Sequence, residues 1–198
     1  RKKRRSLPFM NPVMQSLPPS YRMLIQCAGS RDANHLPYCS RICCLASLKH
    51  AAYVREQYAD AEVDIYYIDL RAHDKLEAFY GKVRSDPQVR FIKSKPAHIR
   101  FAEDGRPVLH GERILLRRGA ASKDEPVGRE LYAEPYDLVV LATGMQPNAQ
   151  SLAPAGVKAT WDGFIDQAAL PKGIYAAGTV KAPVDVARTA QDATAAVR

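Results

Sequence analysis

No apolar run in the 198 residues approaches the ~20 needed to cross a bilayer. Nor does any stretch combine a basic start, an apolar centre and a small-residue cleavage site in the manner of a secretory signal. A reducing cytoplasm is therefore the expected location. The chain also has no GxGxxG after its first strand-like segment; CAGSRDANHLPYCS occupies that place instead, so no phosphate-cradling loop is evident. Aromatic residues make up 8% of the chain, with a single Trp, and are not interleaved with the basic run RKKRR at positions 1 to 5. The run therefore reads as a solvated tail rather than a nucleic-acid patch, or else as a docking face for an acidic electron-transfer partner. It supplies five of the eight excess positive charges. The missing initiating Met suggests that the chain begins within a longer protein. With 46% hydrophobic and 25% charged residues, the chain has material for one good core or two small ones without disulfide staples.

Cysteine is scarce and concentrated: Cys27, Cys39, Cys43 and Cys44 are the whole complement, and all lie within 18 residues. Buried small hydrophobes would be scattered, so the clustering points to a shared metal or redox centre. A disulfide between the vicinal Cys43 and Cys44 would close a strained ring. Structural zinc takes four thiolates but usually through two separated CxxC knuckles, and an iron–sulfur cluster also takes four. At this level all three stay open.

The flanks give an order of elements. YRMLIQ (21–26) has strand character, and SRICCLASLKHAAYVREQYA carries apolar residues at helical spacing. Cys27 is expected at the strand's carboxyl end and Cys39 near the helix start. Cys43 then follows one turn along on the same face, and Cys44 a quarter turn away, over a helix N-terminus that favours anionic sulfur. Downstream, VDIYYIDL (63–70), DKLEAFYGKVRS (74–85) and QVRFIKS (88–94) continue a strand, helix, strand rhythm, which predicts a parallel sheet. Segments from 97 to 135 read as antiparallel strands with EDG as a turn and a polar loop at GAASKDEPVG. YDLVVLATGMQPN (136–148) contains a fully buried strand, GIYAAGTVKAP (173–183) another strand, and VDVARTAQDATAAV an Ala-rich helix. Arg31, His35, Arg41 and Lys49 are candidates to offset thiolate charge. Asp69 and Arg71 stand where a Rossmann unit reads a ribose, and are expected to pair with each other.

DLVVLATGMQPN and GIYAAGTVKAPVDVARTAQDATAAV resemble the closing motifs of two-domain flavoprotein disulfide reductases of the thioredoxin reductase type. CAGSRD, YCSRICC and VDIYYIDLRAHDKLEAFY narrow the resemblance to the heterodisulfide reductase A-subunit family and its relatives in sulfur-oxidation and quinone-interacting complexes, from about Leu7 to Arg198. The resemblance implies an oxidoreductase that passes electrons between FAD and a 4Fe–4S cluster. Its cluster ligands would be Cys27, Cys39, Cys43 and Cys44. FAD would meet Ala142, Thr143 and Gly144 at one turn, and Gly178, Thr179, Pro183, Val184 and Asp185 at another, with Thr179 in place of the motif's acidic residue. The first half of the flavin domain is absent from these residues. Implied partners are other iron–sulfur subunits and a second copy of the chain, with no nucleic acid and no membrane span.

The expected fold is α/β: a Rossmann-like parallel sheet unit followed by antiparallel strands and the C-terminal portion of an FAD-binding domain. The expected organisation is a basic, Pro-rich lead at 1–20, a degenerate dinucleotide-type domain at 21–112 carrying the cysteines, and a flavin-domain half at 113–198.

Overall fold

The structure, a computed structural model, describes residues 21–72, 74–118, 124–149, 151–152 and 156–197. The basic run and the rest of the 1–20 lead lie outside the described residues. The chain forms two compact units, each assembled from two segments: Arg1–Ile25 with Ser47–Val140, and Gln26–Ala46 with Leu141–Arg198. Among the described residues no helix is long and apolar enough to cross a membrane.

The first unit is built on three parallel strands, β1 (Arg22–Ile25), β2 (Val63–Tyr67) and β3 (Val89–Lys93), paired in the register Leu24↔Ile65↔Phe91. All four residues of β1 are buried, as a central parallel strand with both faces covered requires. Helix α1 (Cys43–Gln57) contributes Leu48, Ala51 and Val54, all at most 2% exposed, from one face at three-residue spacing. Its last turn is tied off by Arg55, whose guanidinium donates to the carbonyls of Tyr58, Ala59 and Ala61 and pairs with Asp86 at 3.0 Å. A 3₁₀ turn (Asp74–Leu76) leads into α2 (Glu77–Arg84).

The expected antiparallel part is present as β4 (His98–Phe101), β5 (Pro107–Arg118) and β6 (Asp124–Pro135), with Gly105 at φ +81 in the EDG turn. They do not form a separate layer. Strand order is β4-β5-β3-β2-β1-β7, with β6 on β5, so one mixed sheet holds all seven strands. β5 runs unbroken across 112/113, where the sequence placed a domain boundary.

Asp64 is fully buried on β2 and accepts two bonds from Arg90 and one, at 2.7 Å, from the Tyr136 hydroxyl. Tyr136 Oη also meets Tyr66 Oη at 2.8 Å, and Tyr66 donates to Glu134, which Arg113 holds from the other side. Burial with these partners drives the Tyr66 and Tyr136 hydroxyls far above the usual phenol range. Asp69 and Arg71 form the expected ion pair, at 3.5 Å.

Four expectations are corrected. DEPVG, expected within a polar loop, belongs to β6 and pairs with β5 from Asp124 onward, because the ladder continues through Arg118↔Asp124. VVLA forms β7 (Leu138–Leu141), but its residues are half-buried with Leu141 50% exposed, because it lies at the sheet's edge beside β1. GIYAAGTVKAP is not a strand: residues 174–177 are irregular and lead into a 3₁₀ turn (Gly178–Val180). Ile174 and Tyr175 are exposed, and among the described residues no neighbouring strand offers a ladder. Lastly, α1 starts at Cys43, so Cys39 precedes the helix rather than sharing a face with Cys43. The second unit closes with α3 (Val186–Ala196), none of whose residues is buried.

Candidate metal centre

The cysteine segment is a loop that bonds to itself. The Asp32 carboxylate accepts the Asn34 amide, the Asp32 carbonyl accepts the His35 amide, and Leu36 and Gly29 are joined by a 3.1 Å backbone bond. Arg31 N donates to the Tyr38 carbonyl and closes the base. Cys27, Arg31 and Arg41 all adopt left-handed backbone, at φ 55, 56 and 63. Side-chain-bearing residues enter that region at a cost, and only a surrounding that over-determines the path holds them there. Arg41 is also why the helix starts late: its turn separates Cys39 from Cys43, and its amide points back at Cys39 Sγ, 3.4 Å away.

All four cysteines are thiols rather than disulfides. Cys27 and Cys44 are buried, while Cys39 and Cys43 are half-buried. Burial pushes the Cys43 thiol up to about 11, and the negative charge of Cys44, Cys27 and Cys39 adds to the shift. The quartet is therefore close enough to act on one member electrostatically. A tetrahedral zinc ion with ~2.3 Å bonds would draw its sulfurs to within about 4 Å of one another. Among the described residues no three His, Cys, Asp or Glu side chains are gathered to hold a single ion. A four-iron cluster takes each thiolate on a different iron, and an all-thiol donor set is one that zinc or such a cluster accepts. Of the other residues singled out, His35 and Arg41 are exposed, Arg31 is half-buried, and the Lys49 ammonium lies over the Tyr53 ring at 5.5 Å.

The loop is clasped to residues 142–145. Ala28 N donates to Ala142 O at 3.2 Å, Tyr38 Oη to Met145 O at 3.0 Å, and Ser30 Oγ to Thr143 O at 3.0 Å. Ser40 Oγ accepts the Met145 amide at 2.8 Å and lies 3.3 Å from Ser30 Oγ. Since Ser30 spends its proton on Thr143, Ser40 donates to Ser30, and the bonds run one way from the Met145 amide to the Thr143 carbonyl. Gly144, at φ +103, sits inside this ring, and a Cβ there would overlap both serine oxygens. Its lack of a side chain is thus accounted for by the serines. Ala142 beside it is half-buried and Thr143 exposed.

The second set of residues is placed around α3. Gly178, at φ +70, is buried; its amide donates to Asp192 Oδ2 at 3.3 Å, and a Cβ would strike the Thr189 methyl. Asp185 caps α3 by accepting the Arg188 amide at 2.8 Å. Thr179 is exposed, and Pro183 and Val184 are half-buried. For a flavin the fit is therefore incomplete: the glycines are filled by protein neighbours and the helix N-terminus by its own carboxylate. Sequence reading missed Ser30, Ser40 and Tyr38, which hold the loop; serine and tyrosine in a polar loop carry no spacing signal. It also missed Gln26, next to Cys27.

No family model matches the chain. Among solved structures, the thioredoxin reductase of T. acidophilum aligns over 89% of this chain and 50% of its own, with a TM-score of 0.52 at 16% identity. The fold is thus thioredoxin reductase-like. By sequence the chain belongs to the heterodisulfide reductase A-subunit family. It is 35% identical over 189 residues, 88% of its length, to the second iron-sulfur A-subunit of the CoB–CoM heterodisulfide reductase of Methanopyrus kandleri. It is 38% identical over 133 residues, 66% of its length, to the A-subunit of the ferredoxin:CoB-CoM heterodisulfide reductase of Methanosarcina mazei. To the protein of the same name from Methanosarcina acetivorans it is 35% identical over 194 residues, 91% of its length. These matches cover 27%, 15% and 23% of the respective relatives, so the chain spans about a quarter or less of their length.

Proposed function

We propose that this chain is part of an oxidoreductase of the heterodisulfide reductase type, in which Cys27, Cys39, Cys43 and Cys44 hold a 4Fe–4S cluster. The observation that carries the reading is four free thiols in one loop whose path is set by the left-handed residues Cys27, Arg31 and Arg41. When bound, such a cluster accepts and releases single electrons. The chain's own residues shape the site around it. Burial of Cys27 and Cys44 keeps water from two ligands, the Arg41 amide donates toward Cys39 Sγ, and the serine ring fixes the loop on residues 142–145. The word iron-sulfur in a relative's name supports the metal.

FAD is the second cofactor of the proposal, supplying two-electron chemistry when bound. Its support is the thioredoxin reductase-like fold. Thr143 and Thr179 offer exposed hydroxyls in the two stretches, 142–144 and 178–185, that would meet it. Because the relatives are subunits of larger reductases, partner subunits carrying further clusters belong to the same proposal.

Purification without oxygen, followed by iron, sulfide, zinc and flavin analysis, tests the reading. About four irons per chain and a brown absorbance near ~400 nm are expected, both lost in Cys43→Ser. A colourless zinc protein, or an unchanged spectrum in that variant, would contradict it.

A further inference from the structure

Gln26 connects the end of β1 to Cys27. Its side chain is 2% exposed, and among the described residues neither Nε2 nor Oε1 has a hydrogen-bond partner. A carboxamide brings two N–H donors and a carbonyl acceptor, and enclosing all of them unsatisfied is among the costlier things a fold can do. An apolar side chain of similar length would fill the space without that penalty. Gln57 leaves a single atom in this state; Gln26 leaves its whole amide so, one peptide bond from a cysteine. The neighbouring polar side chains of the loop are engaged: Ser30, Ser40 and Tyr38 all bond to residues 142–145 or to each other.

A buried amide with no protein partner, on the residue that precedes Cys27 in the chain, identifies a contact that the protein alone does not complete. We infer that Gln26 is a ligand-contacting residue of the sulfur centre, its Nε2–H donating to a sulfur of the cluster bound by Cys27 and its companions. The inference rests on the cluster reading above and adds a fifth residue to the site. A carboxamide suits this role because it donates without bringing charge. Hydrogen bonds to cluster sulfurs are among the protein's levers on reduction potential, and they stabilise the more negative, reduced state.

The test uses the full chain purified without oxygen, with Gln26→Leu and Gln26→Met as alternative variants in case one fails to fold. Iron content, midpoint potential and the couplings of exchangeable protons to the reduced cluster by electron–nuclear double resonance are measured. Iron content equal to the unaltered protein, a midpoint shifted to more negative potential and loss of one exchangeable-proton coupling are expected. If the unaltered protein is iron-loaded and neither potential nor couplings move in the variants, the amide is satisfied elsewhere, by a buried water for example, and this inference alone is overturned. If the unaltered protein binds no iron, the proposed function itself fails and takes the inference with it.

Discussion

Ser40 Oγ accepts the Met145 amide at 2.8 Å and donates a hydrogen bond to Ser30 Oγ, so two fully enclosed hydroxyls join the cysteine loop to a chain segment more than a hundred residues away. Ser40→Ala leaves the half-buried Met145 amide without its acceptor and the Ser30 hydroxyl without its donor, while Ser30 keeps the Thr143 carbonyl. Such losses cost about 1–3 kcal/mol. A lower denaturation midpoint in urea with an unchanged slope is expected, together with faster hydrogen exchange at Met145.

Gly178 and Thr189 make the corresponding approach at α3. Gly178→Ala puts a methyl into the Thr189 methyl at a left-handed position. A destabilisation of about 2 kcal/mol is expected from the clash and the backbone cost together. Adding Thr189→Ser removes the methyl that is struck, so the double variant should recover part of the loss while the backbone cost remains. Thermal unfolding of the two single variants and the double variant measures the recovery.

Arg90 holds the one carboxylate that is fully enclosed in β2. Arg90→Leu leaves Asp64 with the Tyr136 hydroxyl and no cation; the carboxylate is fully enclosed but the guanidinium is 45% exposed, so the loss should be about 1–3 kcal/mol, less than for a wholly buried pair. In the Arg113–Glu130 pair the carboxylate, rather than the cation, is the half-exposed partner, so its loss leaves no enclosed anion behind. Breaking that pair through Glu130→Gln should cost under about 1 kcal/mol. Of the two denaturation midpoints, measured side by side, that of Arg90→Leu should be the lower.

Cys43 gives the metal-free protein an alkaline weakness. Its folded-state value, about 11, lies above the usual 9.0 because burial and the neighbouring thiolates oppose its ionisation. The unfolded chain therefore releases this proton first, binds fewer protons over that window, and gains on the folded chain as pH rises from 9 to about 11. Stability measured without metal should fall across that interval, and Cys43→Ser should flatten the decline. Alkylation of Cys43 at pH 8 should also be slower than that of a cysteine in an unstructured peptide.

Much of the first unit was legible in the sequence. YRMLIQ, VDIYYIDL and QVRFIKS gave β1, β2 and β3 within a few residues; for β1 and β2 the reason is near-complete burial of a short run, whereas in β3 only Val89 is buried and the β-branched and aromatic residues carried the signal. The EDG turn was equally plain, since a glycine at φ +81 leaves few alternatives. GIYAAGTVKAP misled because strand-like composition does not supply a neighbouring strand. SRICC misled at its start because a left-handed Arg41 is fixed by contacts rather than by residue type. Nothing in the order of residues marked the continuity of β5 across 112/113, which follows from its pairing with β3, β4 and β6.

The sequence alone determined that four sulfurs fall within one 18-residue stretch with no other cysteine in the chain, but a stretch of that length can extend to about 60 Å, so proximity in space was left to the fold. Only the tertiary structure decided how they are presented. The left-handed turns, the serine ring around Gly144 and the unpartnered amide of Gln26 all depend on segments distant in the chain arriving at the same place. Hydrogen-bond geometry and burial belong to that arrival and leave no periodic trace in the order of residues.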